Sequence, residues 1–442
     1  MIKSIGSSGF RHFHATHAGC TDGTWDRVAR VGRFGKFRPA GVRAASTALA
    51  ERSEFSEDSV MASDYPESRS RRRWVASDDL HSFVSGEFAV RNFKHVGWAA
   101  LLMMAGFTVG ANADDGKTVK VFILAGQSNM EGKAPNALLE HQATDPKTKD
   151  LFAHLRKDDQ WIVRDDAFIK FLGRHGGLTI GYGSRDRTGV ELEFGNKMAD
   201  HFDEPVLLIK AAWGGHSLFK LFRSPSAGMP SDDKLQEELA QAQKRVKQNN
   251  EKNNKQDPLP TLEDIKAPYG SSYREMLNEV RETLTNLETL FPALKGRQPE
   301  LAGFVWFQGW NDQYGAQDEY ESNMRHFIHD VRRDLKAPNL PFVIGVMGQN
   351  GSQPAGDAML TIQRAQLAMN DVPEFRGNVK AIRTDELVDK AAEALYPKWR
   401  DNFEEWKLTG GDFAYHYLGS AIWFNRIGSA MGDAMLELLA SR

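Results

Sequence analysis

One cysteine, Cys20, is all the chain has in 442 residues, so no intramolecular disulfide is available and the fold is held by its apolar core alone. Cysteine usage therefore leaves the redox compartment open. An excess of charge of one sign is equally lacking: 56 Lys and Arg face 59 Asp and Glu, a formal net charge of −3, which argues against the basic stripe of a dedicated nucleic-acid binder. The apolar run at 96–109 falls short of the ~20 residues that a membrane-spanning helix needs. The H-E-x-x-H pattern, the Walker A loop and a full dinucleotide fingerprint are absent, and Gly181-Tyr182-Gly183 lacks both the later glycine and a long preceding strand. Neither a metal nor a cofactor is implied.

What is present divides sharply along the chain. Up to about residue 87 the sequence is rich in Arg, Ser, Gly and Ala, with a basic cluster at Arg69 and Arg71 to Arg73 and little periodicity. Then come Arg91 and Lys94, the apolar run at 96–109 and Ala111-Asn112-Ala113, which are the n-region, h-region and A-x-A site of a secretory signal peptide. We expect residues 1–89 to be a disordered or spurious extension before a true start near Val90, residues 90–113 to be a signal peptide, and residues 114–442 to be the exported domain. The mature protein is then secreted or periplasmic and has no stable membrane insertion. N-terminal sequencing that finds residues before Val90 retained would overturn this reading.

The exported part alternates strand-like and helix-like stretches. Continuous apolar runs at 119–125, 206–211, 302–308, 342–347 and 379–384 read as buried strands, and 191–202, 272–290, 318–335, 361–370 and 418–439 as helices. Such alternation predicts a parallel sheet covered on both faces, a three-layer α/β/α sandwich with right-handed crossovers. A polar insertion around 220–270, with a Gln- and Lys-rich solvated helix or hairpin at 234–255, lies between the second and third core strands. The glycine-rich loop at 171–190 is long enough to reach over a site.

Three segments carry chemistry. The first strand runs into Gly126-Gln127-Ser128-Asn129-Met130, which presents a serine hydroxyl at a sheet edge where open α/β folds bind ligands. The third strand ends in Gly309-Trp310-Asn311-Asp312, and Asp412-Phe413-Ala414-Tyr415-His416 stands near the end of the chain. Taken singly, each has a plain structural explanation: the serine segment is a turn and Asn311-Asp312 a helix cap. Serine, Gly-x-Asn-Asp and late histidine together make a hydrolase order, distinct from the G-x-S-x-G elbow because Met130 replaces the last glycine.

These segments resemble those of the SGNH (GDSL-like) hydrolases, and the run from Ile123 to Met130 is similar to the sialate O-acetylesterase-like branch, which includes carbohydrate acetyl esterases. The likeness extends over most of 117–439 and implies a flavodoxin-like strand order. It implies Ser128 as nucleophile and His416 as base, with the Ser128 N–H, Gly189 and Asn311 as the oxyanion hole. The glycine of Gly189-Val190-Glu191, at the expected start of the helix at 191–202, offers a free N–H unless Glu191 anchors the turn by hydrogen bonding. The family's Asp-x-x-His spacing is broken, since Phe413 stands three before His416 and Asp412 four before. Asp412 is taken as the acid, with Asp385 or a Ser-His dyad aided by a backbone carbonyl as alternatives. Gln127, Gln308, Trp213 and His216 are assigned to the substrate side, the two glutamines supporting its loops.

The expected activity is hydrolysis of O-acetyl groups on a carbohydrate through an acyl-enzyme, with acetylated carbohydrate as the partner. Two rivals remain: a catalytically impaired glycan-binding protein on the same fold, and an esterase of lipid or peptidoglycan acyl groups. Trp213, Phe219, Phe222, Trp306 and Trp310 suit sugar stacking, an acyl pocket or plain core packing.

Overall fold

The computed structural model describes residues 118–441, so the extension expected at 1–89 and the signal peptide expected at 90–113 lie outside the described residues. Its central strand, β1 (Thr118–Gly126), sends alternate side chains to opposite faces: Phe122 and Leu124 join one core, Val119, Val121, Ile123 and Ala125 the other. Strand formation follows from β-branched and aromatic residues with no polar face to expose. Val119, Val121, Phe122, Ile123 and Leu124 are all fully buried. At ~1.5–3 kcal/mol each, they contribute more, before chain entropy, than the ~2–4 kcal/mol typical of a disulfide.

Six further strands complete the main sheet: β2 (Ala167–Phe171), β3 (Arg174–Gly177), β4 (Val206–Ala212), β5 (Gln298–Phe307), β6 (Phe342–Val346) and β7 (Val379–Arg383). Their order across the sheet is β7-β6-β5-β1-β4-β2-β3, parallel except for the β2–β3 hairpin. Helices α1 (Glu191–His201) and α5 (Ala421–Ala440) cover one face; α2 (Ser271–Thr285), α3 (Tyr320–Asp334) and α4 (Asp357–Ala368) cover the other. This is the expected three-layer α/β/α sandwich, and the five strands expected from sequence lie in the flavodoxin-like order, second, first, third, fourth, fifth.

Several boundaries differ from expectation for identifiable reasons. β2 and β3 were not foreseen, and β3 converts part of the loop at 171–190 into an antiparallel edge strand. Its sequence, Arg-His-Gly-Gly, has no strand propensity, so only pairing with β2 makes it extended. The helix expected at 272–290 breaks at Asn286, where φ −103 and ψ 22 interrupt the spiral before the short helix Leu287–Leu290. The last helix begins at Ala421 and not 418, because Tyr417 and Leu418 adopt positive φ. The polar insertion holds a helix at Asp232–Asn253, capped by the Ser231 side chain on the Lys234 N–H and burying only Leu235, as a solvated helix should.

After β1 the chain builds toward β4 on one side, then crosses to β5 on the other. The junction of β1 and β5 is therefore the topological switch point, the place where open α/β folds put their ligand crevices, beyond the carboxyl ends of the strands. Ser128 follows β1 and Asn311 follows β5.

Candidate active site

The Ser128 turn is shaped by how closely two strand ends approach. Gly126 has φ +155, and a Cβ there would stand 2.1 Å from the Phe307 carbonyl oxygen, so only glycine lets β1 end flush against β5. The Gln127 N–H donates to that same carbonyl at 3.2 Å, and the Gln127 side-chain carbonyl accepts from the Gly309 N–H at 3.1 Å. Ser128 then opens a four-residue helix, Ser128–Glu131, and its N–H is among those that a helix start leaves without an internal partner.

His416 Nε2 lies 3.0 Å from Ser128 Oγ, and His416 Nδ1 lies 3.0 Å from Asp412 Oδ1. An ionised carboxylate only accepts, so Nδ1 carries the proton and Nε2 is left to accept from the serine hydroxyl. Asp412 also receives the Phe413 N–H at 2.8 Å on Oδ1 and the Arg187 guanidinium at 2.7 Å on Oδ2. Burial works to raise its carboxyl pKa, but the His416 and Phe413 hydrogen bonds and the Arg187 charge outweigh it and hold it below the ordinary value. Asp385 is engaged elsewhere: its carboxylate pairs with Arg383.

The loop that carries His416 is fixed from several sides. Tyr417 and Leu418 have φ of 52 and 60, two successive non-glycine residues in the left-handed region, a costly arrangement that persists only where the surroundings impose it. The Tyr417 hydroxyl accepts from the Gly348 N–H at 2.9 Å and shares a 2.8 Å hydrogen bond with Thr384 Oγ1, while the Leu418 carbonyl accepts from Gly411 and Asp412 N–H groups at 2.8 and 3.0 Å. Asn129 Nδ2 donates to the Tyr415 carbonyl at 3.1 Å, which ties the serine helix to the histidine loop.

The other expected site residues divide. Asn311 is half-buried beside β5's end, and its side chain has no hydrogen-bond partner among the described residues. Gly189 requires a correction: its N–H is not free but donates to Glu191 Oε1 at 2.8 Å. Its absent side chain serves packing, since a Cβ there would meet Gly132 Cα at 2.5 Å. The loop that walls Ser128 is instead Trp213 to Gly215. A Cβ on Gly214 would be 3.7 Å from Ser128 Cβ, and the Gly214 N–H donates to Glu131 at 2.6 Å.

Gln127 and Gln308, assigned to the substrate side, are 2% and 3% exposed and spend their hydrogen bonds on loops. Gln308 Nε2 donates to the His216 carbonyl and to Asp312, and its Oε1 accepts from Tyr320. They support the site without facing it. Trp213 and His216 are half-buried with parallel rings 6.1 Å apart, and His216 Nδ1 bonds Ser272 Oγ at 2.7 Å. Burial pulls the His216 imidazole below its ordinary pKa, against the pull of Glu131. Phe222 and Trp306 lie in the core.

Three supports were not read from the sequence. Arg187 reaches Asp412 from a separate two-residue strand, Arg187–Thr188. Asp312 is buried with three donors on its carboxylate, the Leu218 and Phe219 N–H groups at 2.9 and 2.7 Å and Gln308 at 2.6 Å. Burial with no adjacent cation pushes its pKa up to about 6, although those three donors favour the charged form. Lys210, on β4, is fully buried and satisfies all three protons on Glu191 Oε2 at 2.9 Å and the Glu131 and Tyr182 carbonyls at 2.7 and 2.8 Å. A lysine inside an otherwise apolar strand was the available signal, because a buried ammonium requires a partner. Breaking such a pair typically costs ~3–5 kcal/mol. It fastens the Gly189-Glu191 turn to the Ser128 helix.

Among the described residues no helix is long and apolar enough to cross a membrane, and no group of three or more His, Cys, Asp or Glu is placed to hold a metal ion.

Residues 118–256 and 260–394 match the family described as carbohydrate esterase, sialic acid-specific acetylesterase; the match ends before Asp412 and His416. Three solved structures are similar at low identity. A protein from Arabidopsis thaliana is 16% identical, covers 72% of this chain and 98% of its own, and has a TM-score of 0.41. A carbohydrate acetylesterase from Xanthomonas citri is 12% identical over 61% of this chain and 50% of its own, with a TM-score of 0.36. NanS is 15% identical over 63% of this chain and 80% of its own, with a TM-score of 0.33. No curated protein matches the chain.

Proposed function

The chain belongs to the sialic acid-specific acetylesterase family of carbohydrate esterases, and we propose that it removes O-acetyl groups from a carbohydrate through an acyl-enzyme formed on Ser128. The observation that carries this reading is the continuous relay from Ser128 Oγ to His416 Nε2 and from His416 Nδ1 to Asp412, each link 3.0 Å long. A serine hydroxyl is a weak nucleophile until a base within hydrogen-bond reach takes its proton, and a base needs a partner that fixes its tautomer and stabilises its charged form.

In the proposed reaction Ser128 Oγ attacks the acetyl carbonyl carbon while its proton passes to His416 Nε2. The carbonyl oxygen becomes an oxyanion, held by the Ser128 N–H and the Asn311 side-chain amide. The bond to the sugar oxygen then breaks, that oxygen takes the proton from His416, and the acetyl group remains on Ser128. Water attacks the acetyl-enzyme with His416 again as base, releasing acetate. Asp412, ionised beside Arg187, stabilises the imidazolium in both halves. The intact relay favours an esterase over an impaired glycan-binding protein. Acetyl preference rests on the family.

The test is acetate release from acetylated sugars and turnover of 4-nitrophenyl acetate by the wild type and Ser128→Ala. The variant should fold normally and lose turnover. Brief exposure of the wild type to substrate at low pH should add the mass of one acetyl group to the peptide that contains Ser128. A folded Ser128→Ala variant within a few-fold of wild-type activity would refute the assignment.

A further inference from the structure

His416 delivers its proton to the departing sugar oxygen, so under the function proposed above the sugar lies on the His416 side of the ester. That side continues as aromatic surface. The Tyr415 ring stands edge-on to the imidazole at 4.5 Å, and Trp310 flanks Tyr415 at 5.9 Å. Phe413 lies 5.4 Å from Tyr415 with the rings within 18° of parallel, and Trp399 meets Phe413 at 6.4 Å. Phe413 and Tyr415 are 45% and 37% exposed. Beyond them lies an open groove of about 500 Å³ lined by Tyr396, Trp399 and Phe413 with Lys398, Arg400 and Asp401.

Packing explains only the inner part of this strip. Trp399 and Tyr396 rest on the buried Trp406 at 6.4 and 5.5 Å, but Phe413 and Tyr415 turn their surfaces to water. Contiguous exposed apolar area marks an interaction site more often than chance. The rings are also held in place: the Ala414 N–H donates to the Tyr396 hydroxyl at 3.3 Å, and Arg400 lies 5.0 Å over the Trp399 ring. A stepped aromatic surface, with the Trp399 ring perpendicular to Phe413 and a rim of the Lys398 and Arg400 donors and the Asp401 carboxylate, suits a pyranose, whose C–H face is apolar and whose edge carries hydroxyls.

We propose that Tyr415, Phe413 and Trp399 form a subsite for sugar units beyond the acetylated one, so that the substrate is an acetylated oligosaccharide or polysaccharide and not a single acetylated sugar. The inference rests on the esterase reading above. The small ester 4-nitrophenyl acetate fills only the reaction centre and therefore does not report on the strip.

The experiment compares kcat/KM for 4-nitrophenyl acetate with that for chemically acetylated sugars, from single units to hexamers, prepared from xylan, mannan and pectin. For at least one series kcat/KM should rise by about tenfold or more with chain length, the equivalent of ~1.4 kcal/mol of added transition-state binding. Trp399→Ala should reduce the ratio of hexamer to 4-nitrophenyl acetate activity by about tenfold, and Trp399→Phe, which keeps a ring, should restore much of it. Thermal melting of both variants separates loss of the subsite from loss of the fold. Single sugars hydrolysed as well as hexamers in every series, a ratio unmoved by Trp399→Ala in the folded protein, or activity on 4-nitrophenyl acetate with none on any sugar would each overturn the proposal. Absence of activity on all substrates, 4-nitrophenyl acetate included, would instead remove the esterase reading on which it stands.

Discussion

Arg187 donates to Asp412 at 2.7 Å on the carboxylate oxygen that His416 does not use. The two oxygens thus have separate tasks: one orients the imidazole, the other is held by a cation that comes from a different part of the chain, and the Arg187 guanidinium is itself fixed by the Lys133 carbonyl at 2.5 Å.

Asp412→Asn tests the first task. The amide can present its NH2 group to Nδ1 and so favour the tautomer in which Nε2 holds the proton and cannot accept from Ser128. A fall in kcat of ~10³ or more on 4-nitrophenyl acetate is expected, with melting temperature changed by only a few degrees. Activity close to wild type would show that the acid does not act through the histidine.

Arg187→Ala tests the second. Removing the charge leaves burial less opposed, so the Asp412 carboxyl should titrate at higher pH than in the wild type. A lowered carboxyl pKa gives relay function that is present above that pKa and lost as pH falls through it. The acid limb of the kcat/KM profile should therefore move upward, with a roughly tenfold loss at the optimum, and Arg187→Lys should recover part of the shift. An unchanged acid limb would reduce Arg187 to a structural tie.

Asn311→Ala removes one proposed oxyanion donor while leaving Gln308 and Asp312 in place. Losing such a donor costs on the order of 10²–10³ in kcat with little effect on KM. A change confined to KM would move Asn311 to ground-state binding.

Asp312→Asn addresses the loop support beneath Asn311. All three groups that face Asp312 are donors, so an asparagine NH2 would meet a donor and leave hydrogen bonds unmade, at a cost of ~1–3 kcal/mol. The pH dependence has a definite sign. With the folded pKa raised from 3.8 to about 6, the folded protein binds more protons than the unfolded between those values, so this group's contribution to stability falls as pH rises through that window. Urea midpoints of the wild type, measured against those of Asp312→Asn, should decline between about pH 4 and pH 6 and then level off. A constant difference across that range would mean that the carboxyl titrates normally.

The five central strands and the Ser128 turn were legible because their cause is local. A run such as 119–125, apolar at nearly every position, can only be buried on both faces, and a glycine-bounded serine at its end can only sit at the sheet edge. The hairpin of β2 and β3 was not legible, because Arg-His-Gly-Gly becomes a strand only through a neighbour that supplies its hydrogen bonds. Asp412 stood among open alternatives: spacing counts residues, whereas the reach to His416 Nδ1 depends on a loop whose consecutive positive φ values at Tyr417 and Leu418 no local preference announces. The expectation at Gly189 failed for a related reason. That a backbone N–H lies at a helix start is a local fact, but whether a side chain two residues on already occupies it is a matter of rotamer and of what else holds that side chain, here Lys210.

By itself, then, the sequence determined the layers, the central strand order once its family resemblance was added, and which residue types could do chemistry, since those follow from periodicity and from functional groups. Only the tertiary structure decided which of those groups meet. Ser128 and His416 are 288 positions apart and Arg187 and Asp412 are 225 apart. Contacts at such separations are set by the packing of whole elements, which no window of sequence contains.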